Sequence, residues 1–569
     1  MAADSRMIAT TVTALTAAGA PFELSTEVVQ GRPFRVYRHA FATLPDLLAA
    51  ARVHGDKPFI VADGQVWTFS AVFAQADALA GRMQVDLGVK AGDRVAIAMR
   101  NRPEWVVTFV ATVLAGAVPA PLNSFGLADE LGAALADVAP RVAVLDEERL
   151  ARLSDTAALD GVRVIVTGSG SGALAWDALA APGGPQARAV SLQPDDPALI
   201  LFTSGASSRA KGVLSTQRAV CQALFNIDFI GAFSAATSPQ ALQRLMERRL
   251  MPTTLTAVPL FHVSGLHAQL LTALRHGRRL VFVRRWNPAE AIALIREHSV
   301  TQFNGAPAMV AQLIAEPGFE EAAATLGGVG FGGAGLPRRL IDEVLNRLPG
   351  SMSGIGFGMT ESNGVGAAVS GTLFEAQPDA AGVVSPLIDV RVADLDGGEM
   401  PAGEPGEIWL RGVSLMQGYW RQPEATARAL DGGWLHTGDI GFLDASGLLH
   451  VIDRIKDVIN RSGEKIAAAE VESCLLMHPD VLEAAVFGRP DAATGEAVLA
   501  QVVVRPGSGL QAGPLRAFVA SRLAGYKVPS DVRVQHDPLP RNPAGKLLKS
   551  ALRAAWLSSP ETPEPGANR

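Results

Sequence analysis

A hydroxyl-rich loop that ends in a lysine lies near the middle of the chain, at residues 203–211. An apolar run of strand length, residues 198–202, precedes it, and hydroxyls come from Thr203, Ser204, Ser207 and Ser208. Such a loop suits phosphate, because backbone N–H groups and hydroxyls can point inward while Lys211 adds positive charge. The spacing of Gly205 and Lys211 is not that of a Walker A loop. A polar connection with a solvated lysine is the alternative interpretation.

Four further clusters carry residues suited to binding a nucleotide. They are residues 332–337 (Gly-Gly-Ala-Gly-Leu-Pro), 356–361 (Gly-Phe-Gly-Met-Thr-Glu), 434–439 (Trp-Leu-His-Thr-Gly-Asp) and 540–546 (Pro-Arg-Asn-Pro-Ala-Gly-Lys). Glycine-rich backbone can approach a flat ligand, an aromatic can stack on a purine, and carboxylate oxygens suit magnesium. Taken singly, each cluster is equally well read as an ordinary turn, a solvated acid or a surface lysine.

Composition excludes several classes of protein. The 569 residues are 48% hydrophobic and 19% charged with a net charge of −6, which is typical of a globular chain of two or more domains and not of a nucleic-acid-binding surface. The two cysteines, Cys221 and Cys474, form no metal-binding or disulfide pattern, so a cytoplasmic protein is expected. The N-terminus lacks a signal-peptide layout. The apolar segment 105–122 is too short for a membrane helix and predicts a buried helix followed by a strand.

The order of predicted elements indicates an α/β fold. Buried strands at residues 95–99, 118–122 and 142–145 alternate with helices, which predicts parallel-type sheets sandwiched by helices. From about residue 383 short strands dominate, which predicts a β-rich subdomain. We expect a large N-terminal domain at 1–454, a small mobile α+β domain at 455–557 and a disordered tail at 558–569. Residues 1 to about 40 look like an irregular lead-in.

Together, in this order and spacing, these clusters resemble the acyl- and aryl-CoA synthetases of the adenylate-forming (AMP-binding) superfamily. The resemblance runs from about Pro45 to Leu552. Its most specific parts are residues 203–205 with 211–212, 357–361, 437–439, 453–457 and 545–546, supported by 259–265, 406–420 and 526–529.

The resemblance implies ATP, Mg²⁺ and coenzyme A as cofactors and assigns roles to single residues. The ATP-binding set is Thr203, Ser204, Gly205, Ala206, Ser207, Ser208, Lys211, Gly333, Ala334, Gly335, Phe357, Gly358, Met359, Thr360, Asp439, Arg454 and Lys546. The catalytic set is Lys546, Lys211, Glu361, Thr360 and His262, and the magnesium ligands are Glu361 and Thr203. The hinge is Lys456, the coenzyme A residues are Ser462, Gly463 and Glu464, and the acyl pocket contains His262 and Val263.

The chain departs from the family pattern in the phosphate loop. Ala206, Ser207, Ser208 and Ala210 stand where the family usually has Thr, Thr, Gly and Pro, and Phe357 replaces the commoner tyrosine. Gly335 and Ala468 stand where proline is frequent. A serine in place of glycine restricts the backbone, so these changes bear on the rate of adenylation and not on the fold.

The implied function is an AMP-forming acid–thiol ligase: it adenylates an apolar carboxylic acid, transfers the acyl group to coenzyme A, and releases AMP and pyrophosphate. A medium- or long-chain fatty acid is expected. A bulky or aromatic acid, another thiol acceptor, a luciferase-like oxygenase and a non-catalytic nucleotide-binding homologue are the alternatives. His262 stands where amino-acid-activating relatives carry an aspartate, which argues against an amino acid.

Two further expectations concern surroundings and partners. Residues 225–254, apolar at both ends with a charged middle, are expected to line or cover the acyl pocket, or else to form a surface helix pair. The expected partner is a small-molecule acid, with no nucleic acid and no transmembrane segment, and a homodimer is left open.

Overall fold

The computed structural model describes residues 2–168, 170, 172–203, 210–332, 338–394, 396–491, 493–542 and 545–558. Its α/β architecture of mixed sheets covered by helices, with a smaller α+β unit at the C-terminal end, confirms the predicted fold class.

The largest sheet holds the strands that carry most of the predicted site. Fourteen strands belong to it among the described residues. In spatial order they are Ile388–Ala393, Gly406–Gly412, Trp434–Leu443, Leu448–Arg454, Gly382–Val384, Ala367–Ser370, Gly354–Phe357, Gly328–Gly332, Gln302–Gly305, Thr253–Thr256, Arg279–Phe282, Pro58–Ala62 and Gln65–Thr68, with Leu430–Asp431 paired to Trp434–Leu443. The strands from Gly354–Phe357 to Pro58–Ala62 run parallel, so their carboxyl ends lie along one edge.

A second, fully parallel sheet lies beside it. Its strands in spatial order are Val118–Pro121, Arg94–Ala98, Val142–Asp146, Arg163–Thr167 and Leu174–Ala175. Helix Pro103–Leu114 is almost entirely buried in a core that both sheets share. The segment 105–122 is therefore a buried helix followed by a strand, as predicted.

Two smaller sheets, one of three strands and one of five, are also present. Strands Pro197–Phe202, Gly212–Thr216 and Gly418–Tyr419 form an antiparallel unit. The C-terminal sheet contains Glu464–Ile466, Ile459–Arg461, Gly495–Val504, Val481–Asp491 and Asp531–Gln535, with its own core around Val471 and Val502. The predicted boundaries at residues 454 and 557 remain predictions. Ser558 ends the last helix, and the rest of the predicted tail lies outside the described residues.

The helices surround these sheets. They are Ala2–Thr16, Leu44–Ala51, Phe69–Val85, Pro103–Leu114, Ala128–Val138, Glu147–Leu153, Trp176–Ala180, Gln217–Thr237, Pro239–Glu247, Thr272–His276, Pro288–His298, Pro307–Ala315, Phe319–Ala323, Arg338–Arg347, Thr372–Ala376, Pro423–Ala429, Ala468–Leu476, Ala512–Ala520 and Lys549–Ser558. Short turns are Arg52–His54, Ala157–Leu159, Val263–Gly265, Thr360–Ser362, Ile455–Asp457 and Gly525–Lys527, and Leu266–Leu271 is π-helical.

The N-terminal segment corrects one expectation. It is not irregular: helix Ala2–Thr16 packs with Ile8 buried, and strands Leu24–Val29 and Arg32–Tyr37 form a hairpin. Threonines interrupt the apolar periodicity of this helix, and the tight turn uses Gln30 at φ +50° where glycine or asparagine is usual. Because of these two features, the hydrophobic pattern of the sequence does not predict this helix or this hairpin.

The position of segment 225–254 differs in part from a second expectation. Its charged part lies at the amino edge of the large sheet, where Arg248 donates to the Leu326 carbonyl at 2.9 Å, just before strand Gly328–Gly332. The predicted nucleotide and acid residues lie at the carboxyl edge. The charged middle of the segment therefore does not cover the acyl pocket, and lining of the pocket by the rest of the segment stays a prediction.

Helix Gln217–Thr237 is long and apolar enough, by composition alone, to cross a bilayer. It is the one such helix in the described part of the chain, and 56% of its most apolar stretch is buried inside the protein. Its aromatic residues pack against Phe22 and Tyr37. This burial is typical of a core helix.

Candidate active site

The central loop is closed at its base by two hydrogen bonds. The Thr203 N–H donates to the Lys211 carbonyl at 3.0 Å, and the Lys211 N–H donates to the Thr203 hydroxyl at 3.2 Å. The strands on either side are antiparallel, so the loop is the tip of a β-hairpin and not a strand–helix connection. Of the predicted phosphate residues, Ser204, Gly205, Ala206, Ser207 and Ser208 lie outside the described residues, as do Gly333, Ala334 and Gly335.

Tyr419 contacts two residues of the predicted phosphate site, Lys211 and Glu361. Its strand, Gly418–Tyr419, pairs with Gly212–Thr216, which places the ring beneath the Lys211 ammonium at 4.7 Å from the ring centre. Its hydroxyl donates to Oε1 of Glu361 at 2.8 Å. Burial, and then the negative charge of Glu361, raise the pKa of Tyr419, so the phenol stays a donor.

The Tyr419 contacts were missed by sequence reasoning. Tyr419 belongs only to a supporting motif of the family resemblance. It is far from Glu361 in the sequence, so the sequence does not predict that the two residues are in contact. Glu361 is 8% exposed, and its carbonyl accepts from the Met416 N–H at 2.8 Å. A buried carboxylate held beside a lysine fits a magnesium ion, which prefers oxygen ligands. The joint role of Glu361 and Thr203 as metal ligands stays a prediction.

The segment 357–361 lies at the carboxyl edge of the large sheet. Strand Gly354–Phe357 ends with a half-buried Phe357, and Thr360 opens a short 3₁₀ turn. A side chain at Gly358 would meet the Gly364 carbonyl oxygen at 2.3 Å, so this turn requires glycine. At Gly356 and Gly332, by contrast, an added Cβ would find almost no described atom within 4 Å. The edge is therefore open around these glycines.

Asp439, Arg454 and Lys546 form one electrostatic cluster. Residues 439 and 454 face each other on neighbouring strands, and Arg454 Nε lies 3.0 Å from Asp439 Oδ1. Burial raises the pKa of Asp439, while Arg454 and Lys546 act in the opposite direction. Burial lowers the pKa of Lys546 to about 8, and the positive charges of Arg454 and Lys456 act in the same direction. The structure thus brings Lys546 to a pair of residues that lie about a hundred positions earlier in the chain.

The loop that carries Lys546 rests on the large sheet. Gly545, at φ +80°, approaches Ala306 so closely that an added Cβ would lie 2.5 Å from the alanine methyl group. The Lys546 N–H donates to the Asn542 side chain at 2.9 Å, which fixes the turn. The terminal lobe therefore holds Lys546 beside Asp439 and Arg454.

The predicted hinge and coenzyme A residues are exposed. Lys456 is exposed in the turn Ile455–Asp457. Ser462, Gly463 and Glu464 form the exposed tip of a hairpin, with Ser462 at φ +52° and Gly463 at φ +89°. Lys546 is thus turned inward while the hairpin tip faces solvent.

A group of buried polar side chains begins at His262. We call His262, His267, Gln269 and Thr256 the polar wall. His262 caps the short turn Val263–Gly265, and the π-helix Leu266–Leu271 follows at once. Val263 lies against Gly364, and the Gln269 side chain reaches the Asn304 carbonyl at 3.4 Å, so the wall borders the carboxyl edge of the sheet. Burial lowers the pKa of both His262 and His267 to about 4, although the Asn363 side chain partly opposes the shift at His267. Both imidazoles are therefore neutral at pH 7.

Unpartnered polar atoms are concentrated along this wall. Within the described residues, no hydrogen-bond partner is found for His262 Nε2, Gln269 Oε1 or the Thr256 hydroxyl, and neither ring nitrogen of His267 has a well-formed hydrogen bond, the Asn363 side chain being its polar neighbour. His267 is 1% exposed and Thr256, at the end of strand Thr253–Thr256, is fully buried. Buried polar groups normally have partners, so such a concentration points to a ligand-binding wall. Sequence reasoning selected His262 and Val263 but missed His267, Gln269 and Thr256.

Comparisons with known proteins agree with this geometry. Residues 47–420 match the family described as AMP-binding enzyme, and residues 470–546 match the AMP-binding enzyme C-terminal domain. The feruloyl-CoA synthase of an Amycolatopsis species is 35% identical over 492 residues, covering 86% of this chain and 94% of that protein. The 2-succinylbenzoate–CoA ligase of Geobacillus kaustophilus is 33% identical over 513 residues, covering 90% and 98%.

Solved structures are similar over the same span. ATP-bound MatB from Rhodopseudomonas palustris superimposes with a TM-score of 0.78 at 27% identity, covering 90% of this chain and 99% of that one. The o-succinylbenzoate CoA synthetase of Bacillus subtilis, in complex with its acyl-adenylate intermediate, gives 0.73 at 29% identity, covering 89% and 97%.

Proposed function

We propose below which class of acid this enzyme activates. The chain belongs to the adenylate-forming AMP-binding enzyme family and is an ATP-dependent acyl- or aryl-CoA ligase. It uses ATP, Mg²⁺ and coenzyme A. The acid is a ring-containing, largely apolar carboxylic acid that carries an oxygen substituent away from its carboxylate. A plain medium- or long-chain fatty acid, the first expectation from sequence, is the less supported alternative.

The polar wall after His262 carries this proposal. A fatty acid has no group to satisfy His267, Gln269 and Thr256, and leaving such groups buried without partners costs about 1–3 kcal/mol each. A hydroxyl, methoxy or oxo group on the acid would supply the missing partner. Open space at Gly332 and Gly356 accommodates the width of a ring.

The relatives support the same class. Several are named for ring acids, among them feruloyl-CoA synthase, 4-coumarate–CoA ligases and 2-succinylbenzoate–CoA ligase. None of these names fixes the acid of this chain.

We propose that the predicted site residues divide the work of adenylation. Lys211 and the hairpin tip hold the outer phosphates, and Asp439 holds the ribose hydroxyls. Lys546 stands where it can bring the acid carboxylate and the α-phosphate together. Glu361, positioned by Tyr419, would hold magnesium, which supplies charge neutralisation on the departing phosphates when bound.

We also propose that the terminal lobe turns about Lys456 between the two half-reactions. In the arrangement described above, Lys546 is at the nucleotide cluster and the tip at residues 462–464 is in solvent. Thioester formation requires the opposite: Lys546 must leave and the tip must face the acid pocket to admit the thiol. A few hinge residues that absorb backbone rotation are sufficient for this motion.

The test is ATP–pyrophosphate exchange with a panel of acids at equal concentration. The panel contains ferulate, 4-coumarate, unsubstituted cinnamate, and saturated fatty acids of 8 to about 16 carbons. We expect exchange with the oxygenated ring acids at least about 10-fold above cinnamate and the fatty acids, which is the discrimination that one or two unpaired buried groups provide. The variant His267→Leu is expected to lose this preference and to accept cinnamate as readily as 4-coumarate.

Exchange that is fastest with an unsubstituted fatty acid, and unaffected by His267→Leu, contradicts the proposed acid. Exchange with no acid at high enzyme concentration contradicts adenylation itself.

A further inference from the structure

Asp453 belongs to the large lobe but bonds a helix of the terminal lobe. It lies on strand Leu448–Arg454 of the large sheet, three residues before the predicted hinge at Lys456. Oδ1 of its carboxylate accepts from the Arg454 N–H at 2.8 Å, and Oδ2 accepts from the Ala469 N–H at 3.0 Å. The second of these hydrogen bonds therefore crosses from one lobe to the other.

The helix that receives this bond, Ala468–Leu476, has no cap from its own N-cap residue. That residue is Ala467, whose methyl group cannot accept a hydrogen bond, so Asp453 supplies the acceptor from outside the helix. The first N–H groups of a helix lack partners within it and carry the positive end of the helix dipole, so a carboxylate there stabilises the helix in two ways. A capping side chain shifts an equilibrium by about 2- to 30-fold. Asp453 therefore favours the lobe arrangement that keeps Ala469 beside it.

The same helix carries an ion pair that fixes the loop of Lys546. Glu472, about one turn after Ala469, lies 2.7 Å from the Lys549 ammonium, and its carboxylate also accepts from the Val486 N–H at 2.7 Å. The side chains of Lys549 and Glu472 are only 18% and 15% exposed. Lys549 begins the last helix, three residues after Lys546. Because breaking such a pair would leave a charge in a mostly buried place, the pair holds the loop firmly to the helix.

The charge of Asp453 acts on both members of this pair. Burial by itself would lower the pKa of Lys549, but the charges of Glu472, Asp457 and Asp453 outweigh burial and raise the pKa. Burial raises the pKa of Glu472, Lys549 opposes this shift, and Asp453 adds to it. A large-lobe carboxylate is therefore linked, through one helix and its ion pair, to the loop that carries the lysine of the first half-reaction.

Rotation of the terminal lobe about Lys456 would separate the two partners of the cap. Asp453 precedes Lys456 and stays on a strand that is paired within the large sheet, whereas Ala469 follows Lys456 and moves with the terminal lobe. The bond between them is present in the arrangement that places Lys546 beside Asp439. Any arrangement that turns the terminal lobe away loses this bond.

We propose that Asp453 is a positioning residue for adenylation: by capping helix Ala468–Leu476 it holds the terminal lobe, and with it Lys546, in the arrangement of the first half-reaction. The ion pair on this helix transmits that position to the loop of Lys546. This inference rests on the proposed rotation about Lys456 between the two half-reactions. Since the cap must break before the thiol can attack, Asp453 favours the first half-reaction and opposes the second.

The test compares ATP–pyrophosphate exchange with thioester formation from supplied acyl-adenylate, both measured on the full chain. In Asp453→Ala we expect the ratio of exchange to thioester formation to fall about 10-fold, within the range of a lost helix cap. Thioester formation itself should stay equal or rise, because the cap no longer opposes rotation. Asp453→Asn, whose amide oxygen can still accept from the Ala469 N–H, should restore most of the ratio.

The matched control is Thr68→Ala, which removes a helix cap that lies wholly within the large lobe. The Thr68 hydroxyl accepts from the Ala71 N–H at 3.1 Å at the start of helix Phe69–Val85. This variant should lower the melting temperature and leave the ratio of the two half-reactions unchanged.

Variants of Lys549 test the connection to Lys546. Lys549→Met should lower exchange about 10-fold or more and spare thioester formation from supplied acyl-adenylate, because the loop loses its anchor on the helix. Lys549→Arg keeps the charge and should retain both half-reactions. Asp453 is half-buried, so Asp453→Ala keeps the proposal testable should Lys549→Met fail to fold.

An unchanged ratio or equal losses of both half-reactions in Asp453→Ala overturn the proposal, as does an equal fall of the ratio in Thr68→Ala. An Asp453→Asn variant as impaired as Asp453→Ala overturns it too. If Lys456→Pro leaves both half-reactions intact, the proposed rotation is wrong and the role of Asp453 falls with it. An unmodified enzyme that shows exchange with no acid contradicts the proposed adenylation before Asp453 is considered.

Discussion

At the residue scale, one side chain links two residues of the predicted phosphate site. Tyr419 touches both Lys211 and Glu361, although it bears no charge itself. A hydrogen bond to a charged group contributes about 1.5–3 kcal/mol, so the tyrosine hydroxyl fixes the carboxylate firmly. Tyr419 is therefore a positioning residue that acts through Glu361.

The variant Tyr419→Phe should raise the Mg²⁺ concentration needed for half-maximal exchange by about 10-fold or more, because the free carboxylate loses its fixed orientation. The increase in melting temperature produced by Mg²⁺ with ATP should shrink in parallel. The exposed Tyr526→Phe serves as the control. An unchanged magnesium requirement in Tyr419→Phe would show that the hydroxyl does not position Glu361.

The lowered pKa of Lys546 predicts a pH limit for the first half-reaction. Adenylation needs the ammonium form, so kcat/KM for exchange should fall as the pH rises above about 8. Lys546→Arg, which stays charged, should move this alkaline limb to higher pH even where its maximal rate is lower. Lys527→Arg, at a surface ion pair with Glu470, is the matched control. A flat profile from pH 7.5 to 9 in the unmodified enzyme would rule out this role for the charge.

At the scale of elements, the site depends on a π-helix and on strand ends. The segment Leu266–Leu271 is wound one residue wider than an α-helix, and the Thr272 hydroxyl donates at 2.9 Å to the His267 carbonyl, five residues earlier. Such segments are rare and occur often at functional sites. Here the winding places His267 and Gln269 on the wall that faces the strand ends.

Burial of a neutral His267 predicts a pH-dependent stability. Its folded pKa of about 4 lies below the unfolded value of 6.5, so the unfolded chain binds more protons between these values. The free energy of unfolding should therefore fall by about 1.4 kcal/mol per pH unit for this histidine as the pH drops from 6.5 towards 4. Melting temperatures from pH 7 to 5 should decrease less in His267→Leu than in the exposed-site control His536→Leu. Parallel decreases would refute the buried neutral state.

At the scale of the whole molecule, contacts join the terminal lobe to the large lobe. Gly545 rests on Ala306, and Arg339 of the large lobe donates to the Pro479 carbonyl of the terminal lobe at 3.4 Å. Strand Leu448–Arg454, which carries Arg454, ends immediately before the turn that holds Lys456.

Two variants should separate the half-reactions in opposite directions. Lys546→Ala should lower exchange by at least about 100-fold, the scale of one lost transition-state donor, yet form thioester normally from supplied acyl-adenylate. Lys456→Pro, which locks one backbone dihedral, should retain exchange and lose thioester formation. Rapid-quench assays of each step provide the measurement. Equal loss of both steps in either variant contradicts rotation about Lys456.

The sequence by itself determined the class of fold and the family, because these depend on short motifs whose members are neighbours in the chain, and the same motifs supply the residues predicted to bind the nucleotide. It could not determine which distant segments meet. Tyr419 and Glu361 come together only because strand order brings their loops to a common edge. The charged middle of residues 225–254 lies away from the predicted pocket for the same reason: apolar character predicts burial, but not the edge of the sheet at which a segment ends.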